Sequence, residues 1–62
     1  MSELKKQRLL KGLTQIHVSK KTGIHHSTLS LIENGWQKPT ADQILRLVKA
    51  LEIDKEILFP KE

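Results

Sequence analysis

An all-α fold follows from three features of this 62-residue chain. Three glycines (Gly12, Gly23, Gly35) and two prolines (Pro39, Pro60) divide it into segments of helix length, and these residues punctuate local structure most strongly. Helix-capping residues stand at the starts of those segments. Ile44, Leu47, Val48 and Leu51 fall at i, i+3, i+4 and i+7, a continuous helical stripe. No segment of useful length alternates with the period of two that a half-buried strand requires.

The elements follow in order. Ser2 can cap a first helix running to about Lys11, with Gly12 next, where a left-handed backbone is tolerated. Thr14 caps a second over about residues 15–22, closed by Gly23. A third covers about 26–34 and stops at Gly35, and Gly35-Trp36-Gln37-Lys38-Pro39 is the one real loop. Thr40 opens the fourth helix, with Pro39 before it and Gln43 three residues on, the spacing of a capping box. Asp54 caps a last turn or two, ended by Pro60. The expected core joins the fourth-helix stripe to Ile24, Leu29 and Ile32 from the third segment and Ile16 and Val18 from the second. Leu13, Ile53 and Leu58 close the gaps between helices.

Composition bounds what such a chain can do. At 7.1 kDa it is expected to form one domain, residues 1–62, and a domain this small buries only about 60% of its unfolded surface. The absence of cysteine excludes disulfides, thiolate metal sites and a cysteine nucleophile. Stability must come from packing, to which Leu, Ile and Val contribute 18 residues. The net charge of +4 and pI near 9.7 favour an acidic partner, most often nucleic acid. That charge is uneven: residues 1–31 carry +5 and residues 32–62 carry −1, so the basic field belongs to the first half. Apolar runs of two or three residues do not span a membrane. The charged start, Met-Ser-Glu-Leu-Lys-Lys, lacks the apolar stretch of a secretory signal. A cytoplasmic location is therefore expected.

Residues 14–35 hold the motif. Two short helices are joined by Thr22-Gly23-Ile24-His25, a glycine-containing turn that lets helices cross steeply, and Ser19 is small where a close crossing needs it. With Leu29 and Ile32 facing the core, His26, Ser27, Ser30 and Leu31 share the opposite face of the third helix. That face is short in side chain and uncharged, whereas a plain solvent face usually carries long lysines and glutamates. It suits a helix laid against another surface.

Leu13-Thr14-Gln15-Ile16, Thr22-Gly23-Ile24, Ser27-Thr28-Leu29-Ser30, Ile32-Glu33-Asn34-Gly35 and Lys38-Pro39-Thr40 follow one another in fixed order. Together they resemble the phage-repressor and Cro-like (xenobiotic-response-element-type) helix-turn-helix family. The fourth-helix run from Ile44 to Ile53 is similar as well, so the likeness extends over about residues 4–59. It implies a compact five-helix, lambda-repressor-like DNA-binding domain in a transcriptional regulator, with no cofactor. The third helix would enter the major groove by its N-terminal part. His26, Ser27 and Leu31 match base-reading positions, with His25 and Ser30 as additions. His and Ser can hydrogen-bond base edges, and Leu31 can rest on a thymine methyl. Gln15 matches a phosphate contact, Asn34 and Gly35 a backbone-clamping turn, and Lys38 a phosphate partner. Arg8 and Glu33 match an ion pair that ties the first helix to the end of the third.

The chain departs from the family pattern at several points. His25 and His17 replace commoner capping residues, and His caps poorly. Gln7 stands where relatives are often apolar, and Leu9 and Leu10 where they are often polar. Glu52 takes a helix-end position often held by Gly, which predicts a strained or reshaped turn into Ile53.

Other constellations weigh less. His17, His25 and His26 could suggest zinc, but adjacent histidines on a helix diverge by roughly 100° and no acid is well placed to help. A hydrolase needs a nucleophile, base and orienting acid in a cleft, for which so short a chain leaves little room. Trp36 is expected at an exposed edge, capping the core or meeting DNA or a second subunit. A protein-interaction module, such as an antitoxin-like partner, is the alternative function for the same fold. Leftover hydrophobicity near the C-terminus predicts a homodimer: Leu45 falls at the rim of the fourth helix, while Ile57 and Phe59 point away from the core. Family members often pair through this edge, and a pseudo-palindromic duplex with half-sites about 34 Å apart would then be the partner.

Overall fold

The computed structural model describes residues 2–60. It contains α1 (Glu3–Leu10), α2 (Gln15–Thr22), α3 (His26–Glu33), α4 (Ala41–Leu51) and α5 (Lys55–Leu58), with no strand among the described residues. The starts are set by side-chain caps, which satisfy amide groups that a helix leaves unpaired. Ser2 Oγ accepts from the Lys5 amide at 3.1 Å and Thr14 Oγ1 from the His17 amide at 3.0 Å. At α4 the box is reciprocal: Thr40 Oγ1 accepts from the Gln43 amide at 3.1 Å, and Gln43 Oε1 from the Thr40 amide at 2.9 Å. Asp54 departs from expectation, since its side chain makes no capping bond to the four-residue α5.

Packing places α2 against α3 and α4, while α5 bridges α1 and α4. The buried core is Leu4, Val18, Ile24, Leu29, Ile32, Leu47, Leu51 and Leu58, with Leu13, Val48, Ile53 and Phe59 packed against it. Ile44, expected in the core stripe, is only half-buried and lies outside the core, and α2 and α1 differ from expectation as well. Ile16 is 49% exposed, because residues two apart on a helix point about 200° apart and Val18 takes the inward direction. Leu4, absent from the expected core, fills the α1 position beneath the bundle, one turn before the buried Arg8. Gln7 instead spans a turn to Glu3, its Nε2 donating to Oε1 at 2.9 Å, and Leu9 and Leu10 are exposed.

Phe59 is a further correction. It lies just past α5 at φ −132°, ψ 70°, and this extended step returns its ring to the core surface. Ile57 and Leu45 remain 48% and 54% exposed. Glu52 adopts φ 56°, ψ 43° with its amide donating to Val48 O at 2.8 Å. A left-handed conformation of this kind costs a residue bearing Cβ roughly 1–2 kcal/mol.

Candidate nucleic-acid interface

The turn between α2 and α3 is built from polar groups that the sequence does not advertise. Thr22 is buried; its Oγ1 donates to Val18 O at 2.8 Å and accepts from the Ile24 amide at 3.1 Å. Arg46 reaches across from α4, its Nη1 donating to Thr22 O at 3.0 Å while Nε donates to Asp42 Oδ2 at 2.8 Å. A Cβ on Gly23, at φ 75°, would lie 3.1 Å from Arg46 Nη1. The turn therefore needs glycine for its left-handed backbone, whereas the space for a Cβ depends only on the tip of the half-exposed Arg46 side chain yielding by a few tenths of an ångström. Sequence spacing reveals neither contact, because Thr22 and Arg46 are 24 residues apart.

α3 begins at His25, which caps it after all. Nδ1 accepts from the Ser27 amide at 3.2 Å, and the Ser27 hydroxyl lies 2.7 Å from the same nitrogen. Its ring stacks on His26 with centroids 4.5 Å apart. The imidazole does what a serine hydroxyl does elsewhere, with a longer reach. Leu29 and Ile32 turn inward, and His26, Ser27 and Leu31 are exposed while Ser30 is half-buried. Asn34 Nδ2 donates to Ser30 Oγ at 3.4 Å, so Ser30 is partly engaged within the helix. None of these residues is an acid, a lysine or an arginine.

Beneath the far end of α3 lies a buried polar cluster. Arg8 Nε donates to Glu33 Oε2 at 2.6 Å and Nη2 to Oε1 at 3.1 Å, a two-pronged pair whose side chains are 7% and 1% exposed. Arg8 Nη1 also donates to Leu13 O at 2.7 Å, and Gln15 Nε2 donates to Glu33 Oε1 at 3.0 Å. Every buried side-chain polar atom of the described residues has a partner. The cluster links α1, the start of α2 and the end of α3. Gln15 is thus joined to the pair, a connection that sequence position alone did not suggest.

Gly35 and Lys38 are exposed in the loop after α3. Leu45 lines a shallow groove of about 310 Å³ on α4 with Ala41, Ile44, Val48 and Lys55. This surface is separate from the outward face of α3. Among the described residues no three potential metal ligands converge, and no helix is long and apolar enough to cross a membrane.

Two helices joined across a glycine turn, the second held outward by a five-helix core, define a helix-turn-helix domain. A family model described as helix-turn-helix matches residues 4–58, and the chain belongs to this helix-turn-helix family, of phage-repressor and Cro-like type. It is 39% identical over 56 residues to the uncharacterized HTH-type transcriptional regulator YqaF of Bacillus subtilis, covering 90% of this chain and 74% of that protein. Over 58 residues it is 29% identical to the uncharacterized HTH-type transcriptional regulator Rv0474 of Mycobacterium tuberculosis strain H37Rv, and equally to MT0491 of strain CDC 1551. The match takes in 94% of this chain but spans only 41% of the length of either mycobacterial relative. No solved structure matches it.

Proposed function

We propose that the chain binds double-stranded DNA sequence-specifically and regulates transcription, acting as a repressor, with α3 in the major groove. The outward face of α3 carries this reading: a row of short, neutral side chains on a domain whose first half is strongly basic. Affinity would come from phosphate contacts and selectivity from base edges, two separable contributions. His26, Ser27 and Leu31 read bases, supplemented by Ser30 and the unbound edge of His25. Gln15, Asn34 and Lys38 hold phosphates, and Gly35, whose own amide is engaged by Ile32 O, makes the turn that brings this segment against the DNA backbone. The Gln15 amide nitrogen has two hydrogens; one serves Glu33, and the other is free for a phosphate oxygen. A homodimer through Leu45 and Ile57, with Phe59 backing them from the core side, would place two α3 helices on a pseudo-palindromic site.

Selection from random duplex DNA tests the reading, followed by titration of the enriched sequence at several salt concentrations. The slope of log affinity against log salt should be near −0.9 per phosphate contacted. Ser27→Ala, His26→Ala and Leu31→Ala should change the preferred sequence, whereas Gln15→Ala and Asn34→Ala weaken all sequences alike. A selection that enriches nothing overturns the proposal.

A further inference from the structure

Trp36 is the chain's single tryptophan and stands 80% exposed. Tryptophan has among the largest apolar surfaces of any side chain, together with one polar N–H, so its hydration here forgoes a large burial. Its main chain, by contrast, is firmly held. The Gly35 amide donates to Ile32 O at 3.1 Å and the Trp36 amide to Leu31 O at 2.9 Å. With Gly35 at φ 76°, these are the two bonds of a Schellman closure. They fix Trp36 to the last turn of α3, beside the outward-facing Leu31. The segment from Asn34 to Ala41 has a single charge, that of Lys38. Trp36 therefore sits among Asn34, Gly35 and Lys38, the residues assigned above to the DNA backbone, and no carboxylate in that segment repels a polyanion.

We propose that Trp36 packs against the sugar–phosphate backbone of bound DNA at the rim of the groove that α3 enters, its ring on a deoxyribose and its indole N–H donating to a phosphate oxygen. The inference rests on the DNA-binding reading above. Indole is a neutral donor with no acceptor. Such a contact adds affinity without reading a base and without neutralising a phosphate, so it contributes nothing to the release of counterions. The apolar groove around Leu45 belongs to another helix and gives no reason to place a second subunit over Trp36. A backbone contact also explains why a large ring is tolerated in water: its partner is absent until the duplex arrives.

The chain contains no tyrosine, so excitation of its intrinsic fluorescence reports Trp36 alone. The full chain is titrated with the selected duplex and a scrambled one, following anisotropy of a dye on the DNA and emission of Trp36 in parallel. On saturation the emission should change and acrylamide quenching should fall about twofold or more, as expected for a ring removed from water. Trp36→Ala should weaken both duplexes about tenfold, the scale of a lost hydrogen bond to a charged group, with the salt slope and melting temperature unchanged. Lys38→Ala, in contrast, should reduce the slope by about one. Duplex binding with Trp36 emission and quenching unaltered, or with Trp36→Ala as tight as the parent, overturns the proposal while the DNA-binding reading stands. Quenching protection that follows protein concentration without DNA would assign the ring to self-association and overturn it as well. Binding of neither duplex sinks both readings together.

Discussion

Removing the charge from one end of the Arg8–Glu33 pair should be far more damaging than replacing both residues. A chain of 62 residues has about 3–9 kcal/mol of stability in all, at roughly 0.05–0.15 kcal/mol per residue. Breaking a buried pair from one side costs about 3–5 kcal/mol, because the survivor remains desolvated and uncompensated. In Arg8→Met the Glu33 carboxylate keeps only the Gln15 amide. In Glu33→Met the guanidinium keeps only Leu13 O. Each single substitution should therefore lower the melting temperature by about 12 °C or more, at roughly 4–8 °C per kcal/mol for a domain this small. The double replacement removes both charges and fills similar volume with apolar atoms, which is often close to neutral. It still strands Leu13 O, at about 1–3 kcal/mol. Urea unfolding of the four proteins, followed by circular dichroism, should give a coupling of at least about 2 kcal/mol, with the double mutant more stable than the sum of the singles allows. Additivity within about 0.5 kcal/mol would refute the reasoning, since it would mean that neither charge depends on the other.

Glu52→Gly should raise stability by up to about 1 kcal/mol, because the relief of a left-handed Cβ exceeds the entropy that glycine adds to the unfolded chain; an unchanged or lower melting temperature would show that the turn carries no strain. His25→Ser should also stabilise, by about 0.5 kcal/mol, as serine is a favoured cap and the imidazole bond to the Ser27 amide is long at 3.2 Å. Thermal melts that drop instead would mean that the stack on His26 matters more than the cap. Leu45→Glu with Ile57→Glu should leave the fold intact, since both side chains are about half exposed, yet prevent two subunits from occupying one duplex. Sedimentation of the parent chain showing one protein per two-half-site duplex at saturation would sink the dimer.

Much of the architecture is readable because helix boundaries are local. A cap and its amide lie three residues apart, so Ser2, Thr14 and Thr40 announce α1, α2 and α4 without tertiary information. Inward faces are legible only where a helix is long enough. The eleven residues of α4 repeat the apolar stripe often enough to define a direction, whereas the eight of α2 do not separate Ile16 from Val18. In α1 the inward row is Leu4 and Arg8, and a charged residue in the second place hides the row from any reading based on hydrophobicity. Phe59 misleads for a different reason: it has left the helix, so helical spacing no longer says where its ring goes. At the candidate interface, local order identifies the outward residues of α3. The supports contributed by Arg46 to Thr22 O and by Gln15 to Glu33 depend on elements meeting in space, and no spacing within one segment encodes them.

The buried pair also bears on how a protein with this charge distribution could approach a polyanion. Glu33 is the only formally charged residue of α3, and it sits at the helix C-terminus, where a carboxylate opposes the helix dipole and, if exposed, would repel a phosphate. Burial alone would not remove the difficulty, because an unpaired buried carboxylate is costlier still. Arg8 resolves both problems. It meets the carboxylate with two donors and draws it beneath the helix, and the segment that follows, from Asn34 through Lys38, contains no acidic residue of its own. In the complex proposed above, the lysines of α1 and α2 would supply long-range attraction, while α3 presents neutral groups whose contribution would depend on fit. For the DNA complex proposed above, the salt dependence should accordingly originate outside α3, and sequence preference within it.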